Sequence, residues 1–132
     1  MCLFCRIING EIPAFKVYED DDVLAFLDIS QETTGHTLVI PKKHVENIFE
    51  LDEELASKMF SVVTKLAKLL KEKLGCVAIN ILNNSGELAG QSVMHFHIHL
   101  IPQYENEHIS FNHVVHEPNF EKLKQTQELI LK

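Results

Sequence analysis

Between Asp52 and Leu74 the apolar residues recur every three or four positions, at Leu55, Met59, Val62, Val63, Leu66, Leu69 and Leu70. That spacing predicts an amphipathic helix with one face on a core. Its ends are marked as well. Asp52 can cap the first turn, Glu53 and Glu54 suit the positive end of the helix dipole, Lys71 and Lys73 suit the negative end, and Gly75 offers a C-terminal stop. Ahead of it, "VLAFLD" (23–28) and "HTLVIP" (36–41) are short apolar runs separated by the turn-forming "SQETTG", which predicts two antiparallel strands. Behind it, "CVAINIL" (76–82) predicts a strand, "NNSGELAGQS" (83–92) a polar loop, and "VMHFHIHLIP" (93–102) a strand ended by Pro102. From Gln103 the pattern loosens, and only "FEKLKQTQELIL" is weakly helical. Strands on both sides of one long helix predict an α+β fold with a mainly antiparallel sheet.

Composition narrows the class of molecule. The 132 residues hold no repeat and no linker, which predicts one domain over 1–132 with a core of its own. A net charge of −7 argues against a sequence-independent hold on nucleic-acid phosphates. No stretch approaches the roughly 18 apolar residues of a membrane helix, and "MCLFCRIING" lacks the basic and apolar regions of a secretion signal. The expectation is a cytoplasmic protein with neither nucleic-acid nor membrane partners. Three cysteines, an odd number, fit reduced thiols better than a disulfide framework.

The distinctive chemistry lies in "HFHIH" (95–99). On a strand, His95, His97 and His99 share one face while Phe96, Ile98 and Leu100 share the other. Three explanations compete: chance alignment among eight histidines, a metal site, and nucleophilic catalysis by a neutral imidazole. The first and third of these positions are about 13 Å apart on an extended chain, so all three cannot ligate one ion. Gly90, Gln91 and Ser92 precede the strand; their backbone and side chains could line an anion site, with Gly90 allowing close backbone approach and Ser92 able to donate a proton. An ordinary turn is the plainer reading of those three residues alone. Cys2 and Cys5 form a CxxC, which by itself fits a redox pair, half of a metal site, or two unrelated residues.

Taken together, "GQSVMHFHIHLIP", "DIS" and "GHTLVIPKKH" at 28–44, and "CLFCRIINGEIPAFKVYED" at 2–20 resemble the histidine triad (HIT) superfamily over most of residues 2–102, leaving 103–132 as an extension. The resemblance implies a HIT-like fold: a five-stranded, mainly antiparallel sheet with one long and one short helix, joined into a ten-stranded sheet in a homodimer. It implies a hydrolase or transferase acting at the α-phosphorus of a purine nucleotide. His97 matches the nucleophile that becomes a transient nucleotidyl-imidazole, and His99 and His36 match histidines that orient it and contact phosphate. Ser92 and Gln91 match residues near the leaving group, Asp28 the carboxylate that accepts both ribose hydroxyls, and Asn84 an amide near ribose and phosphate. Phe4, Ile7, Phe26 and Ile29 match the apolar wall of the base pocket.

The same resemblance implies a structural zinc held by Cys2, Cys5, His44 and His95, with no catalytic metal. Cys76 then has no partner and is expected to be buried in a strand, and His108, His113 and His116 are expected to be solvated or structural. Val62, Leu69 and the start of "CVAINIL" are expected to face a partner subunit. Ser92 favours the nucleoside phosphoramidase branch over the dinucleoside polyphosphate branch, which usually has Thr there. The tail departs from the animal phosphoramidases, which end in a tryptophan-containing segment; this chain has no Trp. Two other functions stay open: a nucleotide-binding module with little turnover, and a metal-dependent hydrolase using His95 and His97 as ligands.

Overall fold

In the computed structural model, which describes residues 2–132, the chain runs through a short helix α1 (Leu3–Ile8) and strands β1 (Lys16–Glu19), β2 (Val23–Leu27) and β3 (Thr37–Pro41). The long helix α2 (Glu53–Leu74), strands β4 (Ala78–Leu82) and β5 (Ile98–Gln103), and a C-terminal helix α3 (Phe120–Leu131) follow. The end signals of α2 operate as the sequence predicts. The Asp52 carboxylate accepts the Leu55 N–H at 2.8 Å, and Gly75 closes the helix at φ 77°, a backbone conformation that residues with a Cβ rarely adopt.

The strands form one antiparallel sheet in the order β1-β2-β3-β5-β4. β2 and β3 make a hairpin in unbroken register from Val23↔Pro41 to Leu27↔Thr37. Both faces of this sheet are covered, which explains why β2 and β3 are apolar throughout rather than alternating. Val23, Ala25, Val39, Ile98 and Leu100 pack with Met59, Val63 and Leu66 of α2. Leu24, Phe26, Leu38 and Ile40 pack with Phe4 and Ile7 of α1 on the other face.

Three expectations change. The triad segment is not a strand throughout, since β5 begins only at Ile98. Residues 91–97 are instead drawn to the chain after β3, where the Phe96 N–H donates to the Val45 carbonyl and the Gln91 amide to that of Glu46. Nor does Pro102 end the strand. It pairs with Ile79 of β4 beyond the last β5 residue paired with β3. Val62 is buried in the core and unavailable to a partner, whereas Leu69 and Val77 are exposed.

Candidate functional site

Although His95 and His97 precede β5, the alternation survives: Phe96, Ile98 and Leu100 join the α2 core, while the Phe4 ring of α1 meets His95 and His97 edge-on at centroid distances of 5.8 and 5.2 Å. The three imidazoles thus lie on the α1 side of the sheet. His97 and His99 border a cavity of about 360 Å³ whose wall includes Phe4, Ile7, Phe26 and Ile29, with Asp28 and Ser92 among its polar lining. Ile29 is 89% exposed, so it forms the mouth of the cavity rather than its depth.

The hydrogen bonds fix which imidazole nitrogen carries each proton. Nδ1 of His97 lies 2.8 Å from the His95 carbonyl oxygen. A carbonyl only accepts, so Nδ1 is the donor and neutral His97 keeps its lone pair on Nε2. Nδ1 of His36 accepts the Glu32 N–H at 3.2 Å, which puts the His36 proton on Nε2. That proton is donated to Nδ1 of His99 at 2.9 Å, leaving neutral His99 with an N–H at Nε2. Burial pushes the pKa values of His36 and His97 below the usual imidazole range. In His99, burial together with the neighbouring charges of His97 and His36 brings it down to about 4. Near neutral pH the cluster therefore presents one lone pair, on His97, and one donor, on His99.

Around this cluster the loops are fixed by amide side chains. One carboxylate oxygen of Asp28 accepts the Ser30 N–H at 2.8 Å; the other lies 3.7 Å from His36 Nε2. Gln31 spans the turn, donating to the carbonyls of Asp28 and His36 and accepting from the Gly35 N–H. Asn83 donates to the His97 carbonyl at 2.9 Å and accepts from Ser85. Neither Gln31 nor Asn83 stands out in the sequence, because an amide that binds distant backbone carries no local signal. The neighbouring Asn84 lies beside Gly90, whose φ is 93°.

Gln91 is buried. Its side chain accepts the Gly86 N–H and donates to the carbonyls of Glu46 and Val93, so its amide shapes the loop that carries Ser92. Ser92 itself is exposed and borders the cavity.

A second cluster lies beside the first. Nε2 of His95 donates to the Pro41 carbonyl at 2.8 Å, which leaves its Nδ1 lone pair facing Cys2, Cys5 and His44. Nδ1 of His95 is 3.3 and 3.6 Å from the two sulfurs and 3.1 Å from Nδ1 of His44, and Nδ1 of His44 is 3.6 and 3.4 Å from the same sulfurs. A tetrahedral zinc with ordinary Zn–N and Zn–S bonds separates its ligand atoms by about 3.3–3.8 Å. The donor set and its spacing fit that ion. Burial, followed by its bond with Cys2, raises the Cys5 thiol above its usual range; a bound cation would reverse this by favouring the thiolate. Cys76 is buried, as expected, but it stands two residues ahead of β4 rather than in a strand.

These features can be set beside known proteins. The model of the HIT domain matches residues 9–106. The chain belongs to the HIT domain family. The HIT relative "Protein hit" of Bacillus subtilis is 57% identical over 103 residues, covering 78% of this chain and 71% of its own. The crystal structure of a HIT family protein from Bacillus anthracis, 53% identical, superposes with a TM-score of 0.92 over 98% of this chain and 94% of that one. Two others bear on chemistry by name. The adenosine 5'-monophosphoramidase hnt1 of Schizosaccharomyces pombe is 40% identical over 107 residues, 81% of this chain and 77% of its own. A Zn-bound histidine triad family protein from Mycobacterium smegmatis is 34% identical, with a TM-score of 0.79 over 97% and 96% of the two chains.

Proposed function

We propose that this protein cleaves purine nucleotide conjugates at the α-phosphorus, breaking a P–N or P–O bond through a nucleotidyl-His97 intermediate and releasing a nucleoside monophosphate. The observation that carries this reading is the tautomer of His97: with Nδ1 committed to the His95 carbonyl, the Nε2 lone pair is left on a ring that borders a largely apolar cavity also lined by the Asp28 carboxylate. Nε2 attacks phosphorus, the N–P bond forms and the bond to the leaving group breaks, with the leaving atom taking a proton from the Ser92 hydroxyl. Water then attacks phosphorus and the N–P bond breaks, the water giving up a proton that restores the Ser92 hydroxyl and the imidazole leaving in its neutral form. The Nε2–H of His99, oriented by His36, donates to a phosphoryl oxygen as negative charge builds there.

Asp28 accepts the two ribose hydroxyls, and Phe4, Ile7, Phe26 and Ile29 enclose the purine. Asn84 and the backbone at Gly90 lie toward the ribose and phosphate, while Gln91 sets the loop that presents Ser92. Cys2, Cys5, His44 and His95 would hold zinc as a closed set of four ligands, which supplies cross-linking and no open coordination position. The relative named as an adenosine 5'-monophosphoramidase supports a P–N substrate, and the Zn-bound relative supports the metal.

The experiment is steady-state release of AMP from an adenosine phosphoramidate and from diadenosine polyphosphates, by wild type and His97→Ala, with and without a chelator. The expected result is turnover that resists brief chelation and falls by at least about 10⁴-fold in the variant, as removal of an essential nucleophile does, while AMP still binds. Wild-type AMP binding without turnover would replace this reading with a nucleotide-binding module. Immediate loss of turnover on chelation, in a protein that stays folded, would replace it with metal-dependent hydrolysis.

A further inference from the structure

We propose that Asn83 is a positioning residue for the attack by His97: its amide holds the backbone that carries the nucleophile, and so sets the rate of the chemical step without taking part in nucleotide binding. The proposal rests on His97 as the nucleophile. The sheet lets go of the triad segment just where that residue stands. The β4–β5 ladder ends at Leu82↔His99 and the β3–β5 ladder at Val39↔Ile98. Counting back along the segment, His97 is the first residue that neither strand pairs. It is buried, and a buried carbonyl off the ladder needs another partner. The Asn83 Nδ2 donates to it at 2.9 Å.

The orientation of this amide is fixed from behind. The Ile48 N–H donates to Ser85 Oγ at 3.0 Å, and the Ser85 hydroxyl donates in turn to Asn83 Oδ1 at 2.7 Å. With Oδ1 taken, Nδ2 is the end left to face His97. The chain of bonds then closes on itself, because the stretch after β3 that supplies the Ile48 N–H also supplies the carbonyls of Val45 and Glu46. Those two accept from the Phe96 N–H and the Gln91 amide. The nucleophile's segment is thus held from the β3 side at Phe96 and from the β4 side at His97 itself. The bond from His97 Nδ1 to the His95 carbonyl lies within the segment: it selects the attacking nitrogen but does not tie the segment to the body of the protein. Asn83 does. Asn83 is not among the residues lining the cavity, so its loss removes no part of the wall. A misplacement of about 1 Å in an attacking group costs on the order of 10²-fold in rate.

The test measures two quantities, the single-turnover rate of leaving-group release from an adenosine phosphoramidate and the dissociation constant of AMP. It compares wild type with Asn83→Asp, Asn83→Ala, Ser85→Ala and Asn83→Ala/Ser85→Ala, with folding checked by thermal unfolding. Asn83→Asp keeps the shape and the bond from Ser85 but turns an oxygen toward the His97 carbonyl, whereas Asn83→Ala removes the amide and adds no charge. The expected result in both is a rate lower by at least about tenfold with AMP affinity within about twofold of wild type. Ser85→Ala, which leaves the amide in place but unheld, shows the same split at about threefold, and the double variant is no slower than Asn83→Ala, because Ser85 acts through Asn83. An unchanged rate, an equal loss of AMP affinity, or losses that add across the two positions would overturn the proposal. Running His97→Ala in parallel separates this from the reading beneath it. Turnover there removes His97 as the nucleophile, whereas an inactive His97→Ala beside wild-type rates in Asn83→Ala and Ser85→Ala removes Asn83 alone.

Discussion

At the scale of single residues, the site depends on where protons sit. His97 has Nε2 free because Nδ1 is tied to a backbone carbonyl, and His99 is a donor at Nε2 because His36 occupies its Nδ1. In the proposed chemistry Ser92 protonates the leaving group, so Ser92→Ala slows P–N substrates with basic amines by about 10²-fold or more while sparing esters of acidic alcohols. Turnover across a series of leaving groups measures this, and an equal loss throughout removes Ser92 from the role.

The same burial that keeps His99 neutral also makes stability depend on pH. Its folded pKa, about 4, lies below the roughly 6.5 of an unfolded chain. Between these values the unfolded chain binds a proton that the folded one does not, so the His99 contribution is complete above about pH 6.5 and is lost as pH falls toward 4. Urea midpoints therefore decline from pH 7 to 4.5, less steeply in His99→Gln. A slope unchanged by that substitution contradicts the assignment.

At the scale of elements, legibility in the sequence followed local signal strength. α2 was readable to its last residue because Asp52, the heptad-like apolar spacing and Gly75 all act within one turn of where they stand. α1 and β1 carry no comparable local signal. A six-residue helix has too few turns to show a period, and β1 is a four-residue edge strand with mostly exposed side chains. The triad segment misled in the opposite direction: its alternation is real, but the pull of Val45 and Glu46 on residues 91–97, which depends on distant backbone, delays the strand to Ile98.

α1 also joins the two clusters. Its start carries Cys2 and Cys5, and its buried residues Phe4 and Ile7 wall the cavity. Stripping metal is therefore expected to lower the melting temperature and to weaken AMP binding at least tenfold, measured calorimetrically, with the second effect reproduced by Cys2→Ser/Cys5→Ser. AMP affinity indifferent to chelation in metal-loaded protein would separate the clusters.

At the scale of the whole molecule, a sheet buried on both faces sets the division of labour. The α2 face supplies a continuous apolar core, and the α1 face carries the imidazoles, the cavity and the thiols. The resemblance legible in residues 2–102 extended to the fold and the family, because the motifs that carry it are contiguous in sequence. In the arm beyond residue 104 only the helix is legible, since "FEKLKQTQELIL" carries the helical spacing that α3 adopts, while nothing local marks where its exposed side chains lie.

The central claim is that His97 attacks phosphorus and is itself displaced by water, and the configuration at phosphorus tests it most directly. With a substrate made chiral at the α-phosphorus by sulfur substitution and hydrolysed in isotopically labelled water, two successive in-line displacements predict net retention. Net inversion would mean a single direct attack by water and would contradict the covalent intermediate.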